Sequence, residues 1–313
     1  MRSTPVSRWR KAAYALLVST LVVQLSLLCH TVERFTAGKP RIVSVDLINP
    51  RFYQGLATDG RRWVFSYRDS LYATKVDDYE KVVYKNEHAI PPKLEAEGYD
   101  HIGDLDLYDG KVYAPLEDRL YSKPLIALYS ADTLEYVGSI GPLPQSHIPW
   151  CAVDPDTQTI LTSEFSDVDE IYVYDMNGKL VKKIRLSSRI DRVQGGEIVG
   201  KLLYLTADDG GDTVYVVEVE TGEVRELIRI GTPFEMEGVE YWNEKLYVIV
   251  AVGGYLENML FIIDLSTDSG RQFESVLTIL ASMALTLVAI YAVKRSNTEA
   301  GVVGNINFSR HST

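Results

Sequence analysis

From Arg41 to Leu265 the chain is a succession of short runs in which apolar and polar residues alternate, separated by Gly, Asp and Asn. The stretch 195–230 carries the whole unit: KLLYLT, a Gly/Asp turn (ADDGGD), TVYVVEVE, the dipeptide Thr221-Gly222, then VRELIRI. Period-two alternation of β-branched and aromatic residues, broken by turn formers, predicts an antiparallel meander. One such sheet cannot bury both of its faces, and the chain supplies further copies.

Gln54–Tyr84 reads QGLATDG, RRWVFSY, SLYATKV, EKVVY, and the same order of turns and runs returns at 104–140, 150–186 and 237–265. The first turns, at Gly60, Gly110, Asp156, Gly200 and Asn243, are spaced by 50, 46, 44 and 43 residues. Four strands per unit at such a period predict the blades of a β-propeller, five in number; a sixth has no matching segment, and an irregular all-β sandwich is the alternative. The fifth copy stops one strand short at Leu265, while Arg41–Ile48 (RIVSVDLI) precedes the first copy and belongs to none. That N-terminal strand is expected to close the last blade, bringing Arg41 and Leu265 to neighbouring strand ends. His88–Asp100, with Pro91 and Pro92, is expected to be a surface excursion.

Two apolar stretches lie outside this pattern, residues 12–29 after a basic segment (1–11) and 276–293 before Lys294 and Arg295. At about 1.5 Å per residue each is long enough to cross a bilayer as a helix. The expectation is one transmembrane helix at each end of the propeller, the first doubling as signal anchor or cleaved signal peptide. Residues 30–40 and 268–275 are the linkers, 41–267 the propeller, and 294–313 a cytoplasmic tail. The lipid bilayer is then a partner, and the basic flanks place the propeller on the extracytoplasmic side of the cell membrane.

With 43 Asp and Glu against 32 Lys and Arg, the net charge of −11 argues against a nucleic-acid partner. The two cysteines, Cys29 and Cys151, leave no disulfide within 41–267.

The first strand of a blade lines the central channel, and its opening positions are polar in every copy: Gln54; His101 and Asp104; His147 and Trp150; Gln194 and Glu197; Glu235 and Glu237. Three readings of this ring stand side by side. Asp104, Glu197 and Glu237, with a carbonyl from Gln54, supply the converging oxygens a Ca²⁺ ion requires. The same three acids suit acid–base catalysis, with Glu197 or Glu237 as base and Asp104 as its partner. Equally, the polar groups cap strand ends and bind water or a ligand in a wet channel. The function expected is recognition of a small molecule, peptide or glycan at an acidic channel mouth; the alternative is a propeller enzyme.

The opening of the first copy, PRFYQGLATDG, resembles the F-T-Q-G-L start of glutamine cyclotransferases of the five-bladed type, and the repeat rhythm resembles the broader YncE-like and NHL-like propellers. This resemblance covers roughly 41–267 and implies a propeller with its site in the channel, Gln54 matching the family's glutamine. Where cyclotransferases carry Gly-Glu-Gly and Leu-Asn-Glu-Leu-Glu, this chain reads HIGDLDL (101–107) and VQGGEIV (193–199). The resemblance is one of fold and does not imply the activity; the enzymatic alternative is a cyclotransferase-like acyl transfer or a metal-assisted hydrolase or lactonase.

Overall fold

A computed structural model describes residues 40–253 and 256–266. Its strands form five antiparallel sheets of one design. Blade 1 holds β2 (Gly55–Thr58), β3 (Arg62–Tyr67), β4 (Ser70–Lys75) and β5 (Asp78–Asn86). In blade 2 the inner strand is split into β6 (Tyr99–Ile102) and β7 (Asp106–Tyr108), both pairing with β8 (Lys111–Asp118), followed by β9 (Leu125–Ser130) and β10 (Tyr136–Ile140). Blade 3 is β11 (Ala152–Asp154), β12 (Thr159–Thr162), β13 (Val168–Asp175) and β14 (Leu180–Ile190). Blade 4 is β15 (Val193–Val199), β16 (Leu202–Ala207), β17 (Thr213–Glu218) and β18 (Glu223–Arg229).

Blade 5 is completed from the other end of the domain. β19 (Glu235–Trp242), β20 (Lys245–Ala251) and β21 (Asn258–Asp264) are joined by β1 (Arg41–Ile48), which pairs antiparallel with β21 from Arg41 opposite Asp264 to Ile48 opposite Asn258. An Arg41–Asp264 ion pair at 3.5 Å marks the meeting of the two ends. The strand left over in the first copy is therefore the one missing from the fifth, and Pro40–Leu265 forms one compact unit.

The alternation that predicts strands also dictates how blades pack. In β16, Leu203 and Leu205 join the apolar cluster facing blade 3, while Tyr204 between them joins the cluster facing blade 5. In β3, Val64 packs toward blade 2, whereas Trp63 and Phe65 pack toward blade 5. Five buried clusters result, one for each junction between neighbouring blades. Burying a large side chain stabilises by about 1.5–3 kcal/mol, so the ring is held mainly between its sheets. In the first turn of each blade a residue takes a left-handed conformation: Gly60, Gly110, Gln158, Gly200 and Asn243.

Two expectations are corrected. The first concerns the membrane: no helix among the described residues is long and apolar enough to cross one. The α-helix described is α1 (Pro92–Ala96), five residues long. Apolar residues here sit in short alternating strands, which present them to two neighbours in turn. The stretches 12–29 and 276–293, on which the transmembrane expectation fell, lie outside the described residues. The fold class that stands is the five-bladed propeller.

The second concerns His88–Asp100, which is not a simple surface excursion. Ala89, Ile90 and Leu94 are buried in the cluster between blades 1 and 2, α1 begins at Pro92, and Tyr99 already belongs to β6.

Candidate functional site

The inner strands run in one direction along the channel. Gly238 N–H donates to the Gln54 carbonyl at 3.0 Å, and further down Thr58 N–H donates to Glu240 Oε2 at 3.1 Å. Likewise Asp104 bridges Trp150 in parallel, and two residues on Val153 N–H meets Asp106 Oδ2 at 2.6 Å. Each channel residue can thus be placed by its position along these strands.

Asp104 sits in the gap between β6 and β7 and is 1% exposed. Oδ1 accepts N–H bonds from Leu56 (3.2 Å) and Leu105 (3.1 Å), and Oδ2 from Gly196 (3.1 Å) and Val239 (3.2 Å). Its backbone N–H donates to Pro149 O at 2.8 Å, and its carbonyl accepts from Cys151 N–H at 3.2 Å. One residue of blade 2 therefore bonds to blades 1, 3, 4 and 5. Burial raises the pKa of this carboxyl, and the N–H groups of Val239, Gly196 and Leu56 oppose the shift.

The glycines around it follow from this close approach. A Cβ on Gly55 would stand 2.5 Å from Asp104 Cα, one on Gly195 2.8 Å from Asp104 Oδ2, and one on Gly238 2.7 Å from Gly55 Cα. Gly238→Ala is expected to cost about 2–3 kcal/mol through overpacking, read as a lower urea midpoint at unchanged m-value. A midpoint equal to the parent's would contradict the tight packing described.

On the upstream side of Asp104 lies a cavity of about 510 Å³. Six of the sequence-derived candidates line it: Gln54, His101, His147, Gln194, Glu235 and Glu237. Gln54 Nε2 donates to Glu237 Oε1 and Gln194 Nε2 donates to Glu235 Oε1, each at 3.1 Å. Glu237 is 3% exposed, and burial, then the charges of Glu235 and Asp104, push its pKa well above the usual range. Burial lowers the pKa of His101, against the pull of Glu117.

Opposite stands His147, its ring 4.5 Å from Tyr121 and 4.8 Å from Phe165, centroid to centroid. Behind it is Glu117, 1% exposed, whose Oε1 accepts Ile148 N–H at 2.6 Å. Glu117 Oε2 lies 3.0 Å from His147 Nε2 without hydrogen-bond alignment, and this buried oxygen has no hydrogen-bond partner among the described residues.

The remaining candidates lie elsewhere. Trp150 is fully buried, its Nε1–H bonded to Ser163 Oγ at 2.9 Å. Its ring lies where a Cβ on Gly196 would fall, 2.6 Å from Cδ2. Glu197 is downstream of Asp104, where its carboxylate converges with Asp106 and Glu240 to within 4.8 Å. Asp104, Glu197 and Glu237 thus do not form one cluster among the described residues. The acids that could jointly hold a cation are Asp106, Glu197 and Glu240, two of them already accepting backbone N–H bonds. Burial raises all three pKa values, that of Asp106 to about 6; the charges of Glu240 and Asp106 raise that of Glu197 further, and the charge of Asp106 that of Glu240. Cys151 is a buried free thiol.

Glu117, Arg68, Tyr121 and Phe165 escape an inner-strand search because they follow or end the second strand of a blade. That strand runs antiparallel to the first, so its end returns to the same mouth. The in-phase segments YRDS, EDRL and EFSD carry the signal.

No family model matches this sequence, and no curated protein matches it. Among solved structures the chain is similar to a luciferin-regenerating enzyme, at 13% identity over 68% of this chain and 76% of that one, with a TM-score of 0.44. It is also similar to the WD40 β-propeller domain of Doa1, at 14% identity over 69% and 79%, with a TM-score of 0.41. The propeller assignment rests on the strand pairing itself.

Proposed function

We propose that the cavity at the Gln54 mouth binds a small polar ligand, and that recognition is the work of this domain. The observation that carries this reading is the convergence of six polar channel residues on one cavity of about 510 Å³. Its size falls within the range of about 300–1,000 Å³ usual for small-molecule sites. The groups facing it are held by one another: Gln54 by Glu237, Gln194 by Glu235 and His147 by its two flanking rings. Such preorganisation lowers the ordering cost of binding.

The test is a thermal-shift screen of small polar metabolites on the full chain, repeated with Gln54→Leu and Gln194→Leu. A ligand at a hundredfold excess over its Kd stabilises by about 2.7 kcal/mol, a shift of roughly 5–10 °C for a domain of this size. The reading predicts shifts that shrink in both variants. Shifts that survive both substitutions, or none in wild type, would count against it.

One observation favours an enzymatic reading as the second choice. A carboxyl with a strongly raised pKa, Glu237, and the His147–Glu117 pair face the same cavity, which is the pairing of acid and base that hydrolysis or acyl transfer employs. Turnover of a ligand found by the screen, abolished in His147→Gln with binding retained, would establish it; binding without turnover leaves recognition as the function.

A further inference from the structure

Blades 2 and 3 meet at the mouth around one carboxyl group. Glu117, on β8, is 1% exposed, and its Oε1 accepts the Ile148 N–H at 2.6 Å. Its Oε2 lies 3.0 Å from Nε2 of the preceding residue, His147, without the alignment of a hydrogen bond. That buried oxygen has no hydrogen-bond partner among the described residues. Leaving a buried carboxylate oxygen unpaired is costly, so the atom calls for a partner from outside the chain.

A second imidazole faces the same carboxyl group. His101 stands directly opposite Glu117 in the pairing of β6 with β8. Side chains at such positions share one face of a sheet, with Cβ atoms about 4.5–5.5 Å apart. The charges of Glu117 and His147 both act on His101, and all three side chains line the cavity of about 510 Å³. Burial favours the neutral imidazole at His101, the form that ligates a metal ion.

The geometry points to a site for a divalent transition-metal ion of the zinc class, ligated by His101, Glu117 and His147, with its remaining positions open to the cavity. Two ligand atoms adjacent in a zinc shell, each about 2.0–2.2 Å from the ion, lie about 2.9–3.4 Å apart. Glu117 Oε2 and His147 Nε2 have that spacing. An ion in front of the pair satisfies the orphan oxygen and explains the missing hydrogen-bond alignment, because both atoms then present lone pairs to it. Two imidazole nitrogens with one carboxylate suit zinc and its neighbours, whereas Ca²⁺ takes about six to eight oxygens.

The surroundings hold the ligands as outer contacts do in metal sites. The Ile148 N–H fixes the carboxylate from behind. The Tyr121 and Phe165 rings, 4.5 and 4.8 Å from the imidazole, fix His147. His101 completes the set by turning toward the other two: the three donor atoms do not all lie within 4.8 Å of one another among the described residues. Arg68 lines the cavity, but so do Glu235 and Glu237, so carboxyl groups outnumber the guanidinium where a dication enters. This inference goes beyond the reading of the mouth as a ligand site and does not depend on it.

The experiment is isothermal titration of the untagged full chain, stripped of metal by a chelator, with Zn²⁺, Co²⁺ and Ca²⁺ as probes. The expected result is about one Zn²⁺ per chain with a Kd of about 1 µM or tighter, Co²⁺ binding more weakly, and no displacement by excess Ca²⁺. Glu117→Gln, His147→Gln and His101→Gln should each weaken Zn²⁺ by about tenfold or more. Of the five histidines, His101 and His147 should be the two whose imidazole NMR signals shift on saturation with Zn²⁺. That readout uses the parent chain, so it decides the matter even where a variant folds poorly.

Absence of Zn²⁺ binding would overturn the inference, as would binding that the three variants leave unchanged. Zn²⁺ lost in Glu197→Gln and kept in those variants also overturns it, because the ion then sits with Asp106, Glu197 and Glu240. A small ligand that binds the mouth of a chain unable to bind Zn²⁺ refutes this site and leaves the ligand reading standing. Zn²⁺ bound as described beside a silent metabolite screen does the reverse.

Discussion

Replacing Asp104 with alanine is expected to leave the chain without a cooperative folded state at 25 °C. The substitution removes the acceptor of four backbone N–H groups, those of Leu56, Leu105, Gly196 and Val239, in a place that water does not reach. Each buried donor left unsatisfied costs about 1–3 kcal/mol. Their sum, roughly 4–12 kcal/mol, compares with about 5–15 kcal/mol for the whole stability of a typical domain. The loss is also topological, because the four donors belong to three other blades as well as its own. The milder Asp104→Asn keeps the shape and one acceptor oxygen but turns an NH₂ group toward N–H donors. It is expected to cost about 2–4 kcal/mol. Trp63 and Trp150, both fully buried, make fluorescence in urea a direct readout. A variant of either kind within about 0.5 kcal/mol of the parent would mean that the carboxylate does not hold the ring.

The second large effect is on pH. Asp106, Glu197, Glu237 and Glu240 all have folded-state pKa values raised, first by burial and then by neighbouring acids or, for Asp106, by burial alone against two backbone N–H bonds. A carboxyl whose pKa is raised on folding binds protons more readily in the native state. Its contribution to stability is full below the unfolded value and is lost as pH rises through the folded one. For Asp106 that window runs from 3.8 to about 6; the three glutamates extend it upward. His101, with a lowered pKa, works in the opposite sense below its unfolded value. These four acids and Asp104, whose pKa burial also raises, outweigh the one histidine and make the propeller more stable at pH 5.5 than at pH 8.5. Melting curves across that range should show the melting temperature fall as the pH rises. A melting temperature that holds or rises toward pH 8.5 would mean that the acids are ionised and compensated in the fold. Added Ca²⁺ that restores stability at pH 8.5 would place a cation at Asp106, Glu197 and Glu240.

The blades and their closure are legible in the sequence because both depend on local pattern. Alternation in each run states which residues face each neighbour, and a surplus strand at one end matches a deficit at the other. The mouth is legible in part, since Gln54, His101, Gln194 and Glu235 all stand at or near the start of their inner strands. What escapes is whatever depends on distance between blades. Nothing in HIGDLDL marks Asp104 as the residue whose oxygens meet three other blades, and nothing in the two inner strands says that Glu237 lines the mouth while Glu197 converges with Asp106 and Glu240. Glu117 and Phe165 are likewise silent until the second strands are seen to return to the same mouth. Of what the cyclotransferase resemblance implies, the five-bladed propeller is what the strand pairing shows.

The division of the channel acids into a structural pin and a ligand-facing group is tested most directly by melting Asp104→Asn and Glu237→Gln side by side at pH 7.5, with no ligand present. Glu237 already favours its neutral form and accepts one bond from Gln54, so an amide replaces it with little disturbance. The account predicts a melting temperature for Glu237→Gln at or above that of the parent, and one for Asp104→Asn lower by about 5–10 °C. Equal losses in the two variants, or a larger loss in Glu237→Gln, would contradict it.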